Sequence, residues 1–189
     1  MIENLSISLP IGCIIRRATA SDIRSIRKMV LGAKLDPTQL RWQQFWLVEC
    51  ENNVVACAQL REFSQVQELG SLVVRPAWRG RGLGTYLTQH LIERSTKPLY
   101  LECLGDRLAQ FYARFGFRPI AWTELPRSIQ FKFGISQLGR ILLRIPVVIM
   151  QYRGEDKGDR GDKGDKGDKG DKGDKGDKGE GEDGKENQQ

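Results

Sequence analysis

Between residues 45 and 95 the hydrophobic pattern changes period once, and the change falls at a glycine-rich loop. Apolar runs at Phe45 to Cys50, Val54 to Leu60 and Val66 to Val74 read as strands. Glu51-Asn52-Asn53 joins the first two as a hairpin, because asparagine tolerates positive φ, and the third continues an antiparallel meander. Beyond the loop Arg79-Gly80-Arg81-Gly82-Leu83-Gly84, residues Leu83, Leu87 and Leu91, with Tyr86 and Ile92, recur at helical spacing. That helix ends near Ser95, before Pro98.

The flanking segments complete the pattern. Residues 13 to 18 read as a first strand, and Thr19, Ser21 and Asp22 are start signals for a helix carrying Ile23, Ile26, Met29 and Val30. Gly32 or Asp36-Pro37 ends it, and a second short helix is expected over Thr38 to Gln44. Downstream come a strand at Leu99 to Leu104, a helix at Leu108 to Phe115 closed by Gly116, and a strand at Phe117 to Trp122. Val147 to Tyr152 is the closing strand. Strands alternating with helices require crossovers, hence an α/β fold with a partly parallel sheet. The apolar and basic stretch 129 to 145 is helical at least from Ser136, as a core-facing helix, a lid over an acceptor site or a membrane-surface contact.

From Glu155 onward the chain of 189 residues offers no apolar side chain to bury. Gly158 opens seven triplets, one Gly-Asp-Arg and six Gly-Asp-Lys. Glycine in every third place is the collagen period, yet the tail holds no proline, so the expectation is a solvated disordered tail. The expected organisation is an N-terminal extension at 1–12, one domain at 13–153 and the tail at 154–189. Charge divides the same way: after Gly154 there are 9 Lys and Arg against 13 Asp and Glu, leaving 21 against 11 in the body. A basic body fits an anionic partner, and a nucleotide cofactor, nucleic acid and a membrane surface all qualify.

Cys13, Cys50, Cys57 and Cys103 each lie in an apolar stretch without the paired spacing of a zinc or redox motif, and are expected as reduced core residues. The chain has one histidine, which excludes a histidine-built metal site or a Ser-His-Asp triad, and no metal is expected. His90 is expected on an exposed helix face. No secretory signal or run long enough to span a bilayer is evident, so the expected location is cytoplasmic. No interleaving of aromatic and basic residues points to nucleic acid.

The loop carries the chemistry. Glycines let the backbone approach a ligand closely, amides at the helix start form an anion cradle, and Arg79 and Arg81 add positive charge suited to a pyrophosphate. A phosphate loop of the nucleoside-triphosphatase kind needs Gly-Lys-Ser/Thr, whereas Gly84 is followed by Thr85-Tyr86. A dinucleotide fingerprint needs Gly-x-Gly-x-x-Gly after a first strand, and here the spacing is Gly-x-Gly-x-Gly after three antiparallel strands.

These residues resemble the GNAT superfamily of N-acetyltransferases over about residues 13 to 152. Its signature Gln/Arg-x-x-Gly-x-Gly/Ala is matched by Arg79, Gly82 and Gly84, and its aromatic-Tyr to Gly-Phe block by Phe111-Tyr112-Ala113-Arg114-Phe115-Gly116-Phe117. The resemblance implies a single GNAT-like α/β domain with a mixed, mostly antiparallel sheet, parallel at the splayed cofactor strands, with helices on both faces. It implies acetyl-CoA as co-substrate: the backbone of Val73 and Val74 pairs with the pantetheine arm, and Arg79, Gly80, Arg81, Gly82, Leu83, Gly84 and Thr85 hold the pyrophosphate.

The reaction so implied is attack of a primary amine, on a small metabolite, amino acid or protein, upon the thioester. Tyr112 matches the tyrosine that many members keep to protonate the leaving sulfur; from the residues alone it is equally a half-buried helix aromatic. Glu68 is the candidate base, with Glu102 on the neighbouring strand as its fallback; a solvated face charge is the other reading of Glu68. Strand alternation places Glu68, Gly70 and Leu72 on one face and Leu69, Ser71 and Val73 on the other. A module that holds acetyl-CoA without turnover is the rival function, and both a monomer and a homodimer are open.

Overall fold

A computed structural model describes residues 8–130, 132–134 and 147–154. The expected tail from Glu155 and the stretch 135–146 lie outside the described residues, as does most of the expected N-terminal extension.

The sequence order is β1 (Cys13–Arg17), α1 (Ile23–Gly32), β2 (Phe45–Cys50), β3 (Asn53–Glu62), β4 (Gln67–Val74), α2 (Leu83–Arg94), β5 (Leu99–Leu104), α3 (Gly105–Ala113), β6 (Phe117–Pro119) and β7 (Val147–Tyr152). A further helix, α4, is described at 127–130 and 132–134. The strands form one seven-stranded sheet in the order β1-β2-β3-β4-β5-β7-β6. Every neighbouring pair is antiparallel except β4 and β5. The closing strand β7 thus slots between β5 and β6, an insertion that sequence order alone does not encode.

Apolar spacing explains which helix covers which face. On α2 the buried residues Leu83, Leu87 and Leu91 lie one turn apart and pack on Ala56, Ala58 and Leu60 of β3 and on Leu69 of β4. Fully burying a leucine contributes about 1.5–3 kcal/mol, so this stripe is a major anchor of the fold. Tyr112 of α3 joins the same layer. On the opposite face Ile26, Met29 and Val30 of α1 pack on Phe45, Leu47, Cys57 and Val73. Ile129 and Phe133 of α4 pack there on Tyr100 and Ile149. Helices therefore cover both faces, and the basic helix expected from Ser136 lies outside the described residues.

Two elements are shorter than their sequence pattern. Of 38–44 only Trp42–Gln44 is helical, as a single 3-10 turn, because the loop's polar groups bond elsewhere. The Thr38 amide donates to the Asp36 carboxylate, while Gln59 of β3 donates to the Gln39 carbonyl and the Gln44 side chain. β6 ends at Pro119, which has no N–H to extend a ladder.

The cysteine expectation is half corrected. Cys57 and Cys103 are free and buried, but Cys13 and Cys50 form a disulfide. They are direct cross-strand partners in the β1–β2 register, a proximity hidden by 37 residues of sequence separation. Closing a loop of that length is expected to stabilise the fold by roughly 3–4 kcal/mol through the unfolded chain. Cys13→Ser is therefore expected to lower the urea midpoint measurably, with added reductant having little further effect on that variant.

The sheet carries two features that build a site. β4 and β5 pair only at Gln67↔Leu99, Glu68↔Tyr100 and Leu69↔Leu101, and then part, although both strands continue. Just beyond, the β3–β4 register slips: Gln59 faces Gly70 and Cys57 faces Val73, so Ser71 and Leu72 together oppose Ala58. This is a β-bulge, and Ser71 sits in it with φ +50°. The bulge corrects the simple alternation. Leu69, Leu72 and Val74 lie on the α2 side, whereas Glu68, Ser71 and Val73 lie on the α1 side.

Candidate active site

The loop after β4 turns on two glycines in the left-handed region, Gly80 and Gly82, both at φ +78°. An L side chain rarely adopts that conformation, so these positions favour glycine on backbone grounds. Gly82 is the N-cap of α2, and its carbonyl accepts the first helical bond from the Tyr86 amide at 2.9 Å. The amides at the first turn of a helix have no intrahelical acceptor, and with the helix dipole they favour an anion. Arg79 ties the loop to the strand end, its Nε donating to the Val74 carbonyl at 3.2 Å.

These pieces wall a cleft of about 560 Å³. Of the residues expected to hold the cofactor, Val73, Val74, Arg79, Gly80, Gly82, Leu83, Gly84 and Thr85 all line it. Arg81 instead lays its guanidinium on the Trp78 ring, 4.6 Å from the centroid. Sequence reasoning missed Trp78, Leu108 and Phe111, which line the same cleft. The i, i+3 spacing of Leu108 and Phe111 on one helix was the available signal. A smaller cavity of about 330 Å³ adjoins, sharing Ala33, Val73, Val74 and Arg79 and adding Lys28 and Met29 of α1.

Tyr112 is 7% exposed. Its ring meets the edges of Phe111 at 5.0 Å and Phe117 at 5.8 Å, so Phe111 faces the cleft while Tyr112 faces the core. Burial, with Cys103 beside it, raises its phenol well above the ordinary value, and it stays protonated through any working pH.

Glu68 is 2% exposed, which corrects the reading of a solvated face charge. Its Oε1 accepts from Arg61 at 2.8 Å and from Lys132 of α4. Arg61 also donates to Gln59 at 2.9 Å and Ser71 at 2.9 Å. Its guanidinium lies over Gly70, where a Cβ would collide with Nη1; Gly70 is therefore what lets the arginine cross the strand. The cluster sits where β4 leaves β5. Desolvation lowers the Lys132 ammonium from its usual range, opposed by the Glu68 charge. Nothing in the local sequence marked Arg61, because its partners Glu68 and Ser71 come from the adjacent strand β4.

His90 is 7% exposed, not on an open helix face as expected. The Trp46 ring of β2 covers it edge-on at 4.3 Å. Burial, then Arg94 and Arg17, lower its imidazole to about 4. The folded histidine is thus neutral where the unfolded one, near 6.5, begins to bind a proton. Stability is accordingly full above pH 6.5 and falls as pH drops toward 4, by on the order of 2 kcal/mol. Urea midpoints at pH 7 and pH 4.5 are expected to show this loss, and His90→Gln is expected to reduce the slope.

Among the described residues no group of His, Cys, Asp and Glu is placed to hold a metal ion, and no helix is long and apolar enough to cross a membrane.

Residues 41–119 match the model of the acetyltransferase (GNAT) domain. An amino-acid acetyltransferase of Pseudomonas paraeruginosa is 34% identical over 92 residues, 46% of this chain and 21% of the relative. One from Yersinia enterocolitica is 24% identical over 144 residues, 68% of this chain and 32% of the relative. The chain thus spans between about a fifth and a third of these relatives. N-acetylglutamate synthase from Neisseria gonorrhoeae, solved with coenzyme A and N-acetyl-glutamate, superposes with a TM-score of 0.60 at 21% identity, over 77% of this chain and 36% of that one. A Mycobacterium tuberculosis protein solved with CoA superposes with a TM-score of 0.57 at 21% identity, over 72% of this chain and 97% of that one. At such identities the structural likeness concerns the fold.

Proposed function

We propose that this chain, whose residues 41–119 match the GNAT acetyltransferase domain, is an acetyltransferase of that family and transfers an acetyl group from acetyl-CoA to a primary amine. One observation carries the reading. The parting of β4 and β5 after Leu69↔Leu101 opens the sheet close to a cleft whose far wall is a helix-start anion cradle. A long ligand with a diphosphate in its middle and an extended amide arm fits that arrangement. The amides of Leu83, Gly84 and Thr85 hold the diphosphate, the end of β4 at Val73 and Val74 pairs with the arm, and the thioester reaches the parting strands.

The acceptor amine attacks the thioester carbonyl from the α1 side. A C–N bond forms, the C–S bond breaks, and the amine loses a proton. Glu68 is the carboxylate positioned to take that proton, directly or through water, with Glu102 of β5 as its neighbour. Tyr112 is the neutral phenol assigned to return a proton to the departing sulfur. Placement of amine and thioester together contributes several kcal/mol of barrier reduction. The names of the amino-acid acetyltransferase relatives favour an amino acid as the acceptor.

Thermal unfolding with acetyl-CoA tests the first half of this reading. At about 100 times its Kd a ligand stabilises the folded state by about 2.7 kcal/mol, and a domain of this size should melt several degrees higher. No shift with millimolar acetyl-CoA overturns the cofactor assignment.

A further inference from the structure

We infer that the acceptor is an α-amino acid, its carboxylate taken by Arg61 and its ammonium by Glu68. The inference rests on the acetyl-transfer reading, with an amino acid as acceptor, and adds the residues that read the acceptor's two charges.

A polar pocket of about 390 Å³ lies between the loop after α1 and the end of β3, and its walls include Gln39, Arg41, Gln44 and Arg61. Arg61 is the built part of this site, since it is 5% exposed and held by three side chains. A guanidinium has five N–H groups. The bonds to Gln59, Glu68 and Ser71 use one on each nitrogen, leaving a second N–H on Nη1 and on Nη2. These two N–H groups are the donors that Arg61 has left for a carboxylate.

Glu68 has the complementary deficit. Both of its cations bond Oε1, and Oε2 is buried without a hydrogen-bond partner among the described residues. A buried carboxylate oxygen without a donor is uncommon, and an ammonium N–H is the donor that would satisfy it.

The two deficits belong to side chains in contact, Nη1 to Oε1 at 2.8 Å. A ligand that meets both must carry its anion and its ammonium close together, and an α-amino acid carries them on one carbon. A polyamine or a peptide lysine side chain brings the ammonium without an adjacent anion and would leave those arginine N–H groups unmatched. Other charges nearby agree. Arg41 adds a cation at the pocket wall, and Glu62 of the same wall is already bonded to Lys97 at 3.1 Å. Asp36, which the charges of Arg61 and Lys132 also reach, accepts from the Thr38 amide. The position fits transfer as well, because Arg61 crosses Gly70, the residue after the last β4–β5 pair.

Calorimetry on the full chain, with and without CoA, tests this using L-alanine, L-glutamate and L-lysine beside their α-decarboxylated counterparts ethylamine, γ-aminobutyrate and cadaverine. At least one amino acid is expected to bind about 10- to 100-fold more tightly than its counterpart, the range for charge-assisted bonds to a carboxylate. Arg61→Gln is expected to erase that preference while the acetyl-CoA melting shift remains. If that variant does not fold, Gly70→Ala serves, since its Cβ displaces the guanidinium without removing it. Equal binding of amines and amino acids, no amino-acid binding, or a preference that survives in folded Arg61→Gln overturns the inference. The transfer reading fails separately. Rapid acetylation of ethylamine or cadaverine with no preference for amino acids would support transfer and sink the α-amino-acid site. Selective amino-acid binding without turnover would do the reverse.

Discussion

Replacing Gly82 and Gly84 together by valine is expected to abolish the rise in melting temperature that acetyl-CoA gives the parent protein. Gly82 holds φ +78° at the N-cap of α2, a conformation in which a β-branched residue is a genuine outlier. The backbone must turn elsewhere there, and the amides of the first helical turn lose their common aim. Gly84 acts by space rather than by φ. A Cβ there would stand 3.9 Å from both Val74 and Phe111, ordinary contact, but the two γ-methyls of valine would project into the cleft those residues line. The parent shift corresponds to about 2.7 kcal/mol at 100 times Kd, and its complete loss requires well over a hundredfold weakening, since a hundredfold still leaves about 0.4 kcal/mol. Valine at the exposed Gln65, in the turn between β3 and β4 and outside the lining of the cleft and its adjoining cavity, is the control expected to keep the shift. A double variant that folds and still responds to acetyl-CoA would show that the anion cradle is not where the cofactor binds.

Tyr112→Phe is expected to lower kcat by about 100-fold or more while leaving the acetyl-CoA melting shift in place, the range for loss of a positioned general acid. The substitution preserves the ring that packs against Phe111 and Phe117, so the fold should tolerate it. The phenol's raised pKa gives the prediction a second handle. Because burial keeps the proton on oxygen, the acid form persists as pH rises, and kcat should show no descending limb from Tyr112 below pH 10. The core-facing ring makes the test sharp. Unchanged turnover in the phenylalanine variant would return Tyr112 to the role its contacts alone describe, a packing aromatic, and the sulfur would need another proton source.

Much of the fold was legible because the segments are locally consistent. The Asn-containing turn of the β2–β3 hairpin, the leucine stripe of α2 and the glycines before it each state their conformation within a few residues. The loop half of the site was legible for the same reason, since an anion cradle at a helix start is a local object. What could not be read depends on register and on distant partners. The bulge at Ser71 turns its hydroxyl toward Arg61, and a count of alternate residues passes over it. Cys13 and Cys50 meet only because β1 aligns against β2. His90 is covered by a tryptophan from another strand. Arg61 and Lys132 converge on Glu68 across 7 and 64 residues, and only Gly70 hinted that something crosses the strand there. The donor side of the site is thus written locally, whereas the acceptor side is assembled by tertiary structure.

The central claim is that this molecule moves an acetyl group rather than merely holding its carrier. Incubation of the full chain with acetyl-CoA and L-glutamate, L-alanine, L-lysine, ethylamine or cadaverine, with released thiol and acetylated amine quantified together, tests it most directly. The account predicts that for at least one acceptor CoA thiol and N-acetyl product appear in equal amounts, at a rate that depends on acceptor concentration and exceeds hydrolysis without acceptor. A protein that melts higher with acetyl-CoA yet releases thiol no faster with any of these amines than without them would contradict it, and would leave an acyl-CoA-binding module in its place.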